Sequence, residues 1–250
     1  MTRDRDSTEA RLAREIEHHR RIAERAEFVW NWEGPSGRRR AHRRAELFVN
    51  RGGLAPGHRA LELGCGTGVF LEMTARSGAT IHGLDLSDEL LAKARARLSG
   101  LANVTLDQGN AEQMPYPDAE FDTVYGSSVL HHLDLEAALR EIHRVLRPGG
   151  HMVFAEPNIL NPQVAVMFHL GLTKEYFGVS PDEMAFSRFR ARSAMRRTGF
   201  SDIRVAPVDF LHPATPGAWL DAVARIGSLL ERVPLVREIA GSLLLEARRS

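Results

Sequence analysis

The chain has 250 residues, enough for one α/β domain with additions and a large buried core. Its 33 basic and 32 acidic residues leave a net charge near +1, which gives no global field for nucleic acid or an anionic membrane. Cys65 is the only cysteine, so neither an internal disulfide nor a thiolate zinc site can form. With Met1 to Arg25 crowded with charge and no apolar run long enough to span a bilayer, the composition predicts a cytoplasmic protein with no integral membrane association.

From Thr8 to Val29 the spacing of Leu12, Ile16, His19, Ile22, Ala23 and Ala26 predicts an amphipathic helix. Trp30 and Trp32 follow, then a loop from Glu33 to Gly37, then a second helix carrying Arg38, Arg39, Arg40, Arg43 and Arg44 on to Phe48. Simple packing accounts for the two tryptophans as well as a lid over a bound ligand does. The run of arginines reads as a solvated face, or Arg40, Arg43 or Arg44 pairs with a ligand carboxylate.

Arg59 to Gly68, RALELGCGTG, organises the rest. A short apolar strand ends in Gly64, Gly66 and Gly68, where the backbone can turn tightly and approach a ligand, and a helix pattern follows at once. A dinucleotide fingerprint needs a third glycine where Val69 stands, and a phosphate loop needs a Gly-Lys-Ser/Thr that is absent. The run Glu62, Leu63, Gly64, Cys65, Gly66, Thr67, Gly68 instead resembles the first motif of the class I S-adenosylmethionine-dependent methyltransferases. By that resemblance Glu62, Gly64, Cys65, Gly66 and Gly68 belong to the cofactor site.

The next strand ends on Asp85, about 20 positions past the turn, where an acidic side chain can accept hydrogen bonds from both ribose hydroxyls; Leu86 follows it, and Ser87 is placed to cap the next helix. After the third strand the resemblance implies an adenine contact in the loop Asn110, Ala111, Glu112. The family usually carries an acidic residue where this chain has Asn110, whose amide oxygen can accept the same bond. The fourth strand leads into Ser127, Ser128, Val129, Leu130, His131, His132. The resemblance puts Ser127 and His132 against the cofactor and His131 beside the transferable methyl. Adjacent histidines rarely point at one ion and no acidic residue has ligand spacing to them, so no metal site is expected.

Leu135 to Leu146 predicts a helix with Leu139, Ile142, Val145 and Leu146 inward, stopped by Arg147, Pro148, Gly149, Gly150. The fifth strand runs to Glu156 and Pro157. Beyond it, Ile159 to Gly178 is apolar and aromatic, either a substrate cap or an ordinary packed insertion. Ser180 to Glu183 reads as a helix start, with the helix running to Thr198, and Ile203 to Leu211 alternates like a strand. Trp219 to Val233 has helical apolar spacing that fits a core-facing or dimer-forming helix better than a membrane-surface one. The resemblance makes Leu243 to Leu245 a last, antiparallel strand inside the sheet.

These readings predict an α/β fold, a doubly wound, mostly parallel seven-stranded sheet, Rossmann-like. An N-terminal helical lid is expected over 1–54, and a cofactor-binding domain over 55–250 with a substrate-cap insertion at about 157–200. The resemblance implies methyl transfer from S-adenosylmethionine to an oxygen, nitrogen or carbon nucleophile of a small molecule, with His131 the first and Glu156 the second candidate base. The expected partners are a small-molecule methyl acceptor and no nucleic acid, in a monomer or homodimer. The alternative is a non-catalytic S-adenosylmethionine-binding regulatory or partner subunit; Val69 disfavours a nicotinamide oxidoreductase.

Overall fold

The computed structural model describes residues 2–169 and 185–250. Seven strands form one sheet in the order β3-β2-β1-β4-β5-β7-β6: β1 Arg59–Leu63, β2 Thr80–Asp85, β3 Val104–Gln108, β4 Phe121–Ser127, β5 Leu146–Pro157, β6 Phe200–Val208 and β7 Ser242–Arg249. The pairs from β3 through β5 are parallel, whereas β7 runs antiparallel to both β5 and β6. The expected antiparallel strand is thus interior. β1 and β4 are buried at most positions because helices cover both faces of the sheet, which removes the alternating exposure of a half-covered strand.

One face packs on α6 (Leu135–Val145) and on α8 (Arg188–Arg197). Leu135, Ala138, Leu139, Ile142 and Val145 recur at helical spacing on α6 and meet Leu61, Leu63, Val124 and Phe154 of the strands. Removing the buried Leu139 side chain by Leu139→Ala would cost about 2–5 kcal/mol. The other face packs on α3 (Pro35–Gly52), α4 (Val69–Thr74) and α5 (Asp88–Arg97). There Phe48 stacks near Phe70 and Tyr125, with ring centroids 5.7 and 5.2 Å away.

That packing corrects the extent of the expected lid. Ala41, Ala45 and Phe48 of α3 are buried against the sheet, so α3 belongs to the core layer and only residues 2–34 lie outside it. The first helix, α1, spans Thr2–Ile22; a 3-10 turn at Ala23–Arg25 separates it from the short α2, Ala26–Val29. The break lets Ala23 and Ala26 pack on Leu90 of α5. At the other end of the domain, the residues expected to stop α6 instead enter β5: Leu146 pairs with Phe121, and a register shift before Thr123 and His151 absorbs the Pro-Gly-Gly run.

α7 (Pro162–His169) follows β5. The helix start expected at Ser180 to Glu183, and Leu172, Tyr176 and Phe177 of the expected cap, lie outside the described residues. Within them, α8 begins at Arg188, its first turn capped by Ser187, whose hydroxyl accepts the Arg190 N–H at 3.3 Å. α9 (Leu220–Leu230) leaves Trp219, Ile226 and Leu229 exposed, so it is not the core-facing helix that the spacing suggested.

Candidate active site

The carboxyl ends of β1, β2, β4 and β5 meet where the strand order reverses between β1 and β4, the crevice in which open α/β sheets bind ligands. A cavity of about 650 Å³ opens there. Gly64 and Gly66 line it with φ of +62° and +51°. A Cβ at Gly64 would lie 2.5 Å from Val129, and one at Gly66 would lie 3.2 Å from the Trp30 ring, so dihedral and space both demand glycine. Asp85 ends β2 and accepts the Gly66 N–H at 2.7 Å and the Ser87 N–H at 2.9 Å. Its carboxylate therefore fixes the turn and, as a cavity-lining group with four lone-pair sites, retains acceptor capacity for ligand hydroxyls.

On the opposite wall the loop after β4 is wound around one carboxylate. Ser128, at φ +56°, turns the chain so that the N–H groups of Val129 and Leu130 donate to Glu156 Oε1 at 3.0 and 2.9 Å. Glu156 Oε2 lies 2.8 Å from His131 Nδ1. With a carboxylate as acceptor Nδ1 carries the proton, and the basic lone pair of the ring resides on Nε2. Glu156 is 0% exposed and lies outside the cavity lining, whereas His131 is part of it. This corrects the second base candidate: Glu156 orients His131 and has no path to an acceptor.

Residues 2–34 close the cavity from above. Arg11 grips Glu112 with Nη2 at 2.5 and 2.6 Å from the two carboxylate oxygens, and its Nη1 donates to the His132 carbonyl at 2.9 Å. Farther along, Glu27 accepts from Arg97 at 2.7 Å and from the Thr67 hydroxyl at 2.9 Å. Trp32 meets Phe70 edge-to-face, with centroids 5.4 Å apart, and lies under the guanidinium groups of Arg40 and Arg44 at 5.4 and 5.1 Å. Burial of the Glu15 carboxyl pushes its pKa up, but contact with His132 and the fields of His19 and His18 outweigh that and hold it at about 2.

Three of the six arginines of α3, Arg40, Arg43 and Arg44, separate by partner. Arg43 is engaged by Glu231 through two bonds of 2.7 and 2.6 Å, and Arg40 by Asp209 at 2.9 Å. Arg44 is buried and lines the cavity, yet its donors meet only hydroxyls: Ser127 at 2.7 Å, Ser128 at 3.2 Å and Ser242 at 2.8 Å. No carboxylate among the described residues forms an ion pair with it. Burial, reinforced by the charge of Arg40, pulls its pKa down to about 10. A buried guanidinium without an anion is a receptor for one.

The cavity brings together Gly64, Cys65, Gly66, Asp85, Leu86, Asn110, Ala111, Ser127, His131 and His132 from the sequence-derived set. Besides Glu156, three others fall outside it. Glu62 is buried beside Tyr125 and does not line the cavity; burial, opposed by the Tyr125 hydrogen bond and reinforced by Asp85, pushes its pKa well up. Gly68 caps α4 at φ +79° and packs against Leu98, and Glu112 is the anchor for Arg11. Cys65 lines the cavity, but burial raises its thiol pKa well above the usual value, so it is no nucleophile. Asn110 already spends one acceptor position on the Glu112 N–H at 2.9 Å. The sequence reading missed the α1 wall of Arg11, Glu15, His18 and His19; the recurrence of Arg11, Glu15 and His19 every four residues was the available signal.

A family model described as a methyltransferase domain matches residues 61–154. The chain is 30% identical over 187 residues to a demethylmenaquinone methyltransferase of Geobacillus kaustophilus, covering 66% of this chain and 80% of that one. This chain is a member of the class I S-adenosylmethionine-dependent methyltransferases. It is also 39% identical over 111 residues to a malonyl-[acyl-carrier protein] O-methyltransferase of Serratia marcescens, covering 44% and 42% of the two chains. It spans half or less of the length of several curated relatives that it matches. A solved methyltransferase structure from Thermotoga maritima superposes with a TM-score of 0.65 at 21% identity, over 94% of this chain and 100% of that one, which is a likeness of fold.

The cavity fits the cofactor of this methyltransferase family on its own chemistry. Gly66 admits no Cβ without displacing Trp30, Asp85 stands at the end of β2, and Arg44 is a buried cation without a carboxylate.

Proposed function

We propose that the protein transfers a methyl group from S-adenosylmethionine to a nucleophile on a small molecule, with His131 as the base. The observation that carries this reading is the His131 ring in the cavity wall, its Nδ1 held 2.8 Å from a Glu156 that two backbone N–H groups also fix. Bound S-adenosylmethionine supplies an electrophilic methyl carbon on a positively charged sulfur. The backbone at Gly64, Cys65 and Gly66 shapes the floor, Asp85 receives the ribose hydroxyls, and Leu86, Asn110 and Ala111 surround the adenine. Arg44, held by three serine hydroxyls, receives the carboxylate of the methionine end. His131 Nε2 then takes the acceptor's proton as the new bond forms, and Glu156 steadies the imidazolium that results.

The apolar side of the cavity supports a small acceptor. Val164, Met167 and Phe168 of α7 line it, and the Phe168 ring lies 5.9 Å from that of His131. Residues 157–169 thus act as the described part of a substrate cap. The likeness to a demethylmenaquinone methyltransferase and to a malonyl-[acyl-carrier protein] O-methyltransferase supports an organic small molecule, free or carrier-bound, as the acceptor. The test is an acceptor screen scored by release of S-adenosylhomocysteine, repeated with His131→Asn. That variant keeps polarity and much of the shape but has no basic nitrogen, and a fall in turnover of about a hundredfold with cofactor affinity retained is expected. Turnover near wild type in His131→Asn would remove the base and leave alignment alone.

A further inference from the structure

The wall that α1 adds to the cavity carries a cluster that methyl transfer by His131 does not use. Glu15 and His19 stand four residues apart on α1 and so project from one face of the helix. The fold brings His132 to them. Its Nδ1 lies 2.7 Å from Glu15 Oε1, and His19 Nε2 lies 3.3 Å from the same oxygen. One donor atom from each of the three residues falls within 4.8 Å of the other two, and all three residues line the cavity. We propose that Glu15, His19 and His132 form a binding site for a divalent transition-metal cation, opening onto the cavity that holds the methyl acceptor.

Two imidazoles and one carboxylate are the donor set of zinc, iron and their neighbours, whereas calcium and magnesium take oxygen shells. Bonds of about 2.0–2.2 Å place adjacent donors about 3 Å apart, so the observed 2.7 and 3.3 Å need little adjustment to close on an ion. At 2.7 Å the His132 ring and Glu15 form an ion pair when the ring is protonated, and a cation that binds here takes the place of that proton. Arg11, the cation nearest in sequence on this face, is occupied by Glu112 and leaves the Glu15 carboxylate to the histidines.

The expectation of no metal weighed only the adjacent pair His131 and His132. The partners of His132 come from more than a hundred residues away, on the lid, so their spacing in sequence carries no ligand pattern. Three protein donors leave further coordination positions toward the cavity, where an oxygen-bearing acceptor can bind. A coordinated hydroxyl is more acidic than a free one, which suits a methyl acceptor.

The test uses the full chain treated with chelator and titrated with Co²⁺, without cofactor or acceptor, following visible d–d absorption. One Co²⁺ per chain is expected. Glu15→Gln and His19→Gln should each weaken binding tenfold or more, while His42→Ala, at an exposed histidine of α3, should leave it unchanged. Melting curves by circular dichroism establish that the variants fold, and Zn²⁺ should displace Co²⁺ and abolish the band. The proposal is overturned by the absence of a saturable band in the wild-type chain. It is overturned equally by binding that survives in both Glu15→Gln and His19→Gln. S-adenosylmethionine binding is titrated separately, so loss of the metal site and loss of the methyltransferase reading give different results.

Discussion

Burial penalises the charge on Arg44. Its folded pKa is lowered, so the protonated form is disfavoured by burial at every pH below about 10, and the penalty is relieved only as pH rises above that value. At neutral pH a ligand anion can relieve it instead. S-Adenosylhomocysteine should therefore raise the melting temperature more than its decarboxylated analogue does, and Arg44→Met should erase the difference between the two. An undiminished difference in that variant would assign the carboxylate to another cation. At Glu156 the side chain acts through His131 and the loop N–H groups, so Glu156→Gln should lower kcat roughly 10–100-fold while the KM for the cofactor changes little. A rise in KM with kcat intact would make Glu156 a support of the binding loop alone. The sequence offered Arg44 only alongside Arg40 and Arg43 as a carboxylate partner, and offered Glu156 as a base rather than as the group that orients one. Arg44 is one of six arginines in α3, and its neighbours Arg40 and Arg43 are sorted from it only by Asp209 and Glu231, which stand more than 165 residues later.

Among the elements, the segment before α3 is the one expected to act as a lid. Trp30 sits on the glycine turn and Trp32 on Phe70, while Arg11, Glu15 and Glu27 tie the same segment to three loops of the domain. Such a lid must open to admit ligand and closes as binding stabilises it. In a Trp219→Phe background, acrylamide should quench the remaining two tryptophans less in the presence of S-adenosylmethionine, and Glu112→Ala should raise quenching in the free protein. Equal quenching with and without cofactor would make the segment fixed scaffold. The amphipathic pattern over Thr8 to Val29 announced a helix, and the tryptophans announced an unusual loop. The pattern could not reveal that α3 lies in the core layer, because its arginines mask the narrow stripe of Ala41, Ala45 and Phe48. The 3-10 break at Ala23 depends on a contact with Leu90, which no local pattern contains.

Across the whole molecule, the half of the chain with strand-helix alternation was legible because each buried strand and each amphipathic helix carries its own period. The C-terminal half was less so. Its link to α3 is a chain of charges, with Glu231 accepting from Arg43 and from the Asp209 N–H at 2.7 Å, and Asp209 holding Arg40. Burial pushes the Asp209 carboxyl up, but Arg40 and Arg44 outweigh it and hold it below the ordinary range. A depressed folded pKa adds stability above the unfolded value, and that stability is lost as pH falls through the folded value. Asp209→Asn, which tolerates the φ of +75° at this site, should thus cost about 3 kcal/mol at pH 7 and progressively less in acid. A cost independent of pH would mean that packing, not charge, holds the link. The central claim, that the cavity at the strand-order reversal is a cofactor site, is tested most directly by calorimetric titration of S-adenosylmethionine into wild type and Asp85→Ala. The account predicts one site per chain, with affinity reduced tenfold or more in the variant as charge-assisted bonds of about 1.5–3 kcal/mol each are lost. Equal affinity in both proteins, or tight binding of NAD in place of S-adenosylmethionine, would contradict it.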